Sequence, residues 1–266
     1  MTYLSRIRIN PLRAMGRTLL ASPRAMHGAV AGGIPGGPDS ERVLWRLDAD
    51  NPHRPHLFVL TRSKPDWTHI VESAGWPDAD GEHAAVRDYT SLLERIALGR
   101  EFAFRLTANP VQNTFKPLRA TPEQQRRLDA AAASEQTTRP RGFRIGHRTA
   151  NAQLRWFLER TERWGFTVPP SRHVPPGSEE DIATSPETDV PRDLRITERR
   201  RHSFTKKEER SARGGPRVTL TTATFEGRLS VTNPALFTDR LLNGIGPAKA
   251  YGCGLLTLAP LPEGSR

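Results

Sequence analysis

The sequence predicts an α+β protein made of two tandem ferredoxin-like (βαββαβ) units, and three observations lead there. The first half reads strand, helix, strand, strand, helix, strand. The second half repeats that order imperfectly. The chain, at 266 residues, is also long enough to bury roughly 70 to 75% of its unfolded surface, which two units of ordinary size require.

The elements follow in order. Tyr3 to Ile9 alternates Tyr3, Ser5, Ile7 and Ile9 against Arg6 and Arg8, a strand that Asn10-Pro11 ends. Met15, Leu19 and Leu20 stand at helical spacing. Ser22-Pro23 then starts a new helix, Ser as N-cap and Pro in the first turn; it carries Arg24, Met26, His27 and Val30 and stops at Gly32-Gly33. Arg42 to Asp48 and Leu57 to Leu60 are strand-like runs joined through Asn51-Pro52, a hairpin. Leu92, Leu93 and Ile96 place a second helix over 89–98, closed by Gly99, and Phe102, Phe104 and Leu106 alternate in the strand that completes the unit. The same unit underlies the RNA-recognition motif.

In the second half, 143–145 is a short strand and Thr149 caps a helix with Leu154, Phe157 and Leu158, ending near Gly165. The Thr- and Val-rich stretch 218–231 supplies one or two strands. Asn233-Pro234 opens a helix through Phe237 and Leu241 that Gly244 ends, and 255–258 is the final strand. The expected division is 1–120, a connector at 121–140, and 141–266. Residues 169–191 hold six prolines among Ser, Glu and Asp and read as a mobile insertion.

Composition narrows the function classes. Forty Lys and Arg against 29 Asp and Glu give +11, and the pI of about 10.8 favours a polyanionic partner. The mean hydropathy is −0.59, and no stretch approaches the roughly 18 apolar residues of a membrane span. With no signal peptide evident near the N-terminus, the cytoplasm is the expected location. The single Cys253 excludes an internal disulfide and a multi-Cys zinc site. Neither a metal nor a cofactor is expected.

The positive charge is concentrated. Residues 192–217 carry ten Lys or Arg against four acids, and residues 1–30 add five Arg with no acid. A strand pair bearing that tract could follow a nucleic-acid backbone, each neutralised phosphate releasing counterions; the alternative is a solvated basic loop. Gly244, Gly246, Gly252 and Gly254, with Lys249 and Tyr251 among them, form a second backbone-ready feature. It could bring main-chain N–H groups to a phosphate, or simply be a helix C-cap turn feeding a strand. Neither a Walker loop nor a Rossmann fingerprint is present.

Five segments in register, RIRINP at 6–11, SPRAMH at 22–27, FAFRLTANPV at 102–111, FEGRLSVTNP at 225–234 and GIGPAKAYGCGLLTLAP at 244–260, resemble the CasE family. Its members are the CRISPR RNA-processing endoribonucleases of the type I-E Cascade system. The resemblance implies tandem ferredoxin-like domains, a glycine-rich loop and a basic hairpin that engages an RNA stem. It further implies metal-independent cleavage of precursor CRISPR RNA at the 3′ base of the repeat stem-loop, leaving a 2′,3′-cyclic phosphate and a 5′-hydroxyl. The enzyme would then stay bound to the processed RNA among the other Cascade subunits, away from any membrane.

Carried onto this chain, the resemblance makes His27 the catalytic histidine and puts Arg24 where the family often has Tyr. Arginine stays protonated, so Arg24 could hold a phosphate but not move a proton. A hairpin lysine is matched by Lys206 or, as the catalytic choice, Lys207, with Arg213 able to stand in. The RNA-binding set is Arg199, Arg200, Arg201, Lys206, Arg213, Arg217, Gly244, Gly246, Lys249, Tyr251, Gly252 and Gly254. Two other readings stand beside the nuclease: a non-catalytic RNA-binding scaffold of the same superfamily, and a DNA-binding regulator, which would want a basic recognition helix. The remaining histidines form no constellation, and the five Trp read as core.

Overall fold

The structure is a computed structural model describing residues 1–37, 40–79, 81–115, 142–171, 191–205 and 217–261, with isolated positions between 120 and 130. Most of the expected connector, most of the Pro-rich insertion and residues 206–216 of the basic tract lie outside the described residues.

Alternating apolar residues build the first sheet. Strands β1 (Tyr3–Arg8), β2 (Leu44–Asp48), β3 (His56–Thr61) and β4 (Ala84–Asp88) are antiparallel neighbours in the order β2-β3-β1-β4. Helices α1 (Ala14–Ala21), α2 (Pro23–Gly32) and α3 (Thr68–Ala74) cover one face. Ile7, Leu57 and Val59 meet Leu19, Met26, Val30 and Ile70 there, all essentially excluded from water.

The second sheet has the same topology. Strands β5 (Glu101–Ala108), β8 (Phe166–Thr167), β10 (Arg217–Val231) and β11 (Leu256–Ala259) lie in the order β11-β5-β10-β8, and β9 (Leu194–Thr205) pairs with the outer length of β10. Helices α5 (Ala150–Leu158) and α6 (Pro234–Asn243) pack on it over an aromatic core of Phe104, Phe157, Phe166, Phe225 and Phe237. A short ribbon, β6 (Val111–Thr114) with β7 (Phe143–Gly146), leaves the end of β5. The α+β class and the presence of two βαββαβ units agree with expectation, although the strand at 143–145, expected to open the second unit, lies in this ribbon instead.

Other assignments are corrected. The strand at 101–108, expected to close the first unit, is instead a central strand of the second sheet, between β11 and β10. The first unit is closed by α3 and β4, which the sequence reading passes over because one is a two-turn helix and the other a short edge strand. The helix expected over 89–98 is a single turn, α4 (Thr90–Leu93). Its leucines face the seam between the sheets, packing with Leu44, Leu60, Tyr89 and Leu255. The chain therefore crosses from one sheet to the other at 89–100, ahead of the connector expected at 121–140.

A buried guanidinium joins the two halves. Arg46, on β2, is 2% exposed; it holds Asp48 through two bonds of 2.6 and 2.8 Å. Its remaining nitrogen donates to the carbonyls of Arg105 (2.8 Å) and Leu255 (3.2 Å), both in the second unit. Arg105 in turn bonds Asp50 and lies 3.1 Å from Glu226, and that guanidinium holds the Asp50 carboxyl below the usual range.

Removing one member of such a network strands the others without water. We expect Arg46→Ala to lower unfolding free energy by about 3–5 kcal/mol, read from urea midpoints. An unchanged midpoint would show that the seam holds without it. Gly252→Ala should cost at least about 1–2 kcal/mol for its left-handed backbone (φ 80°), before the clash with the Trp45 ring that a Cβ would approach to 2.6 Å. A wild-type melting temperature would contradict that contact.

Candidate active site and nucleic-acid interface

Helix α2 begins as its sequence dictates. The Ser22 hydroxyl oxygen accepts the Ala25 N–H at 3.2 Å and Pro23 occupies the first turn. Burying Met26 and Val30, four apart, leaves His27 on the solvent side. His27 opens onto a cleft of 630 Å³ that draws on both units: Arg42 from the loop before β2, Arg62 after β3, Asn243 at the end of α6, and Lys249. Arg24, one turn earlier on α2, is half-buried and does not line this cleft.

Two features fix the cleft walls. The Glu41 carboxylate accepts the backbone N–H of Arg62 and both the N–H (3.2 Å) and the hydroxyl of Ser63, tying the loop bearing Arg42 to the end of β3. On the other side Gly244 caps α6 by donating to the Arg240 carbonyl at 2.8 Å. Ile245 N–H then bonds the Gly254 carbonyl (3.0 Å), and Gly254 N–H bonds the Thr107 carbonyl (2.8 Å). Within this loop Lys249 donates to the Gly246 carbonyl at 2.6 Å. Burial, with Arg42 and Arg240 adding repulsion, holds the Lys249 ammonium below the ordinary lysine range.

The glycine-rich loop has the packing of a cap and turn. Gly244, Gly246, Gly252 and Gly254 all have positive φ, and neighbouring atoms already fill the space a Cβ would take at three of them, the Ile245 backbone foremost at Gly254. Leu44 and Lys249 stand against Gly244, Trp45 against Gly252, and Lys249 again against Gly254.

The basic tract is divided by a β-bulge. Ile196 pairs with Phe225 and Glu198 with Thr224, leaving Thr197 as the extra residue. The shift reverses which side chains face which way. Ile196 enters the aromatic core, whereas Glu198, Arg200 and His202 turn toward the seam beside Pro23 and Met26. Arg201 faces the opposite side, where a cleft of 840 Å³ also takes Arg144 and Arg148 from the β7 region. Arg199 donates to the Arg148 carbonyl there. Arg200 is paired with Glu198 at 2.5 Å, so the three arginines do not present one surface.

Tyr251 stands between these regions. Its ring meets Phe204 edge-on at 4.8 Å and lines both the seam cavity and the arginine cleft. Arg217 begins β10 opposite Thr205. Lys206, Lys207 and Arg213 lie outside the described residues. The sequence reading missed Arg42, Arg62 and Asn243 as site residues, and Arg144 and Arg148. Each is an isolated residue with no motif around it, and only the fold assembles them. Among the described residues, no three His, Cys, Asp or Glu side chains group closely enough to hold a metal ion, and no helix is long and apolar enough to cross a membrane.

Comparison with known proteins places this architecture. The chain is 27% identical over 261 residues to the CRISPR-associated endoribonuclease Cse3 of Thermus thermophilus, covering 97% of this chain and all of that one. It is 26% identical over 223 residues to the CRISPR system Cascade subunit CasE of Escherichia coli K12, covering 82% of this chain and 89% of the other. The fold is shared with Thermus thermophilus Cse3 bound to an RNA representing a pre-cleavage complex: TM-score 0.64 and 24% identity, over 97% of this chain and 99% of that one. A family model described as CRISPR associated protein matches residues 2–260, and the chain belongs to that family.

Proposed function

We propose that this protein is an endoribonuclease that processes CRISPR RNA, cutting the precursor at the 3′ base of the repeat stem-loop and remaining on the product as a Cascade subunit. The observation that carries the reading is the exposed His27 at a cleft that Arg42 and Arg62 of the first unit share with Lys249 of the second. Support for the class comes from the relatives, one named an endoribonuclease and the other a Cascade subunit.

The chemistry is metal-independent transfer to an internal oxygen. A ribose 2′-oxygen attacks the adjacent phosphorus in line, the bond to the 5′-oxygen breaks, and the ends are a 2′,3′-cyclic phosphate and a 5′-hydroxyl. His27 moves the proton. Fixed positive charge offsets the extra charge on the phosphoryl oxygens as the bond forms. Arg24 holds the backbone beside the cleft, and Lys207, with Lys206 and Arg213, supplies hairpin cations to the RNA. The stem lies against the Arg201 side of β9, which carries Arg144 and Arg148 as well. A narrow A-form major groove is read there by shape and phosphates.

His27→Ala should slow single-turnover cleavage of a labelled cognate repeat, in EDTA, by roughly 10²–10⁴-fold, the usual worth of a positioned proton-transfer group. RNA affinity should change only a few-fold. Cleavage at the wild-type rate would remove His27 from the mechanism, and tight binding by the wild-type protein without products would favour a scaffold. The divided tract gives a second expectation. Arg201→Ala should lower the slope of log K against log salt by about one, whereas Arg200→Ala, already paired with Glu198, should leave it nearly unchanged. Equal effects would mean that the bulge does not sort the arginines.

A further inference from the structure

We propose that Lys249 and Arg42 form an anion seat beside His27 that takes the phosphodiester group of the bound strand, with Gly244 and Gly254 providing the slot for the Lys249 stem. The proposal rests on the endoribonuclease reading and deepens it. It assigns the cation at the reacting phosphate to the glycine-rich loop, within the described fold, and leaves the hairpin lysines to hold the rest of the RNA.

Three observations meet here. Lys249, Arg42 and His27 line one cleft although they stand far apart in sequence, on a loop of the second unit, a loop of the first and helix α2. Among the described residues no carboxylate lies within ion-pair distance of Lys249 or Arg42; the one acid of the cleft, Glu41, is committed to the backbone of Arg62 and Ser63. Two cations held together without a counter-ion create a potential that an entering phosphate relieves.

The third observation explains why the lysine is where it is. A Cβ at Gly244 would lie 2.9 Å from Lys249 Cε, and one at Gly254 would lie 3.3 Å from its Cγ. The stem therefore runs alongside both glycines, where a Cβ would crowd it, and the bond from the ammonium to the Gly246 carbonyl fixes its end. A lysine so confined loses little rotamer freedom when an anion arrives. Arg42, exposed at the rim, adds a planar fork suited to two phosphoryl oxygens.

Two measurements test this. The first needs no RNA. In lysine-labelled protein, inorganic phosphate should shift the Lys249 Cε resonance saturably and raise that residue's titration midpoint. Arg42→Gln, a substitution at an exposed position, should weaken the phosphate effect at least fivefold. No saturable shift would overturn the anion seat whatever the protein does to RNA. The second is single-turnover cleavage of the repeat RNA. Lys249→Met should lower the rate at least 100-fold with RNA affinity changed less than threefold, Lys249→Arg should recover at least tenfold, and Arg42→Gln should lose about tenfold. A rate within twofold of wild type in Lys249→Met, or a rate loss matched by lost affinity, would overturn the role at the reacting phosphate. If wild-type protein fails to cleave, the nuclease reading fails, and the phosphate titration still decides whether the seat exists.

Discussion

The buried Arg46 guanidinium is the constraint on which the arrangement of this protein depends. A charge at 2% exposure must be satisfied on all sides, and Arg46 meets that demand only when β2 of the first sheet, the Arg105 carbonyl of β5 and the Leu255 carbonyl before β11 converge. Apolar contacts between Leu44, Leu60, Tyr89 and Leu255 supply attraction across the same seam, but they tolerate sliding in a way a directional network does not. Together they fix how the two βαββαβ units meet. Their meeting in turn creates the cleft, because His27 belongs to one unit and Lys249 to the other.

Glycine serves that junction directly. The loop 244–254 looks in sequence like a backbone made to approach phosphate. In the fold its missing side chains admit Leu44, Trp45 and the Lys249 stem, so that the second unit can lie against the first at van der Waals distance. At Gly244, Gly252 and Gly254 the chain approaches another surface of the protein itself too closely for a side chain.

The basic tract shows how one extra residue can redistribute charge. Were Thr197 an ordinary ladder residue, the alternation that sends Ile196 into the aromatic core would carry on through 198, 200 and 202. With the bulge, Arg200 and His202 turn to the seam and Arg201 joins Arg144 and Arg148 on the other side. Strand alternation splits the run of three arginines, and the bulge decides that the paired Arg200 is the seam-facing member while Arg199 and Arg201 share the opposite face.

By itself the sequence determined whatever depends on neighbours along the chain. The N-caps at Ser22, Thr149 and Asn233, the alternation of Phe102, Phe104 and Leu106, and the glycine stop at Gly244 are local rules, and the elements they mark are present. The resemblance carried by five ordered motifs reached the family and singled out His27. Tertiary structure alone decided the rest. Strand β5 joins the second sheet because its partners, β10 and β11, lie more than a hundred residues onward, and no local period records a partner. The leucines at 92 and 93 advertise a buried helix face without saying what buries it; here it is the seam. Arg42 and Arg62 became site residues, and Lys249 gained His27 as a neighbour, for the same reason: electrostatic potential adds through space, while sequence orders residues only along the chain.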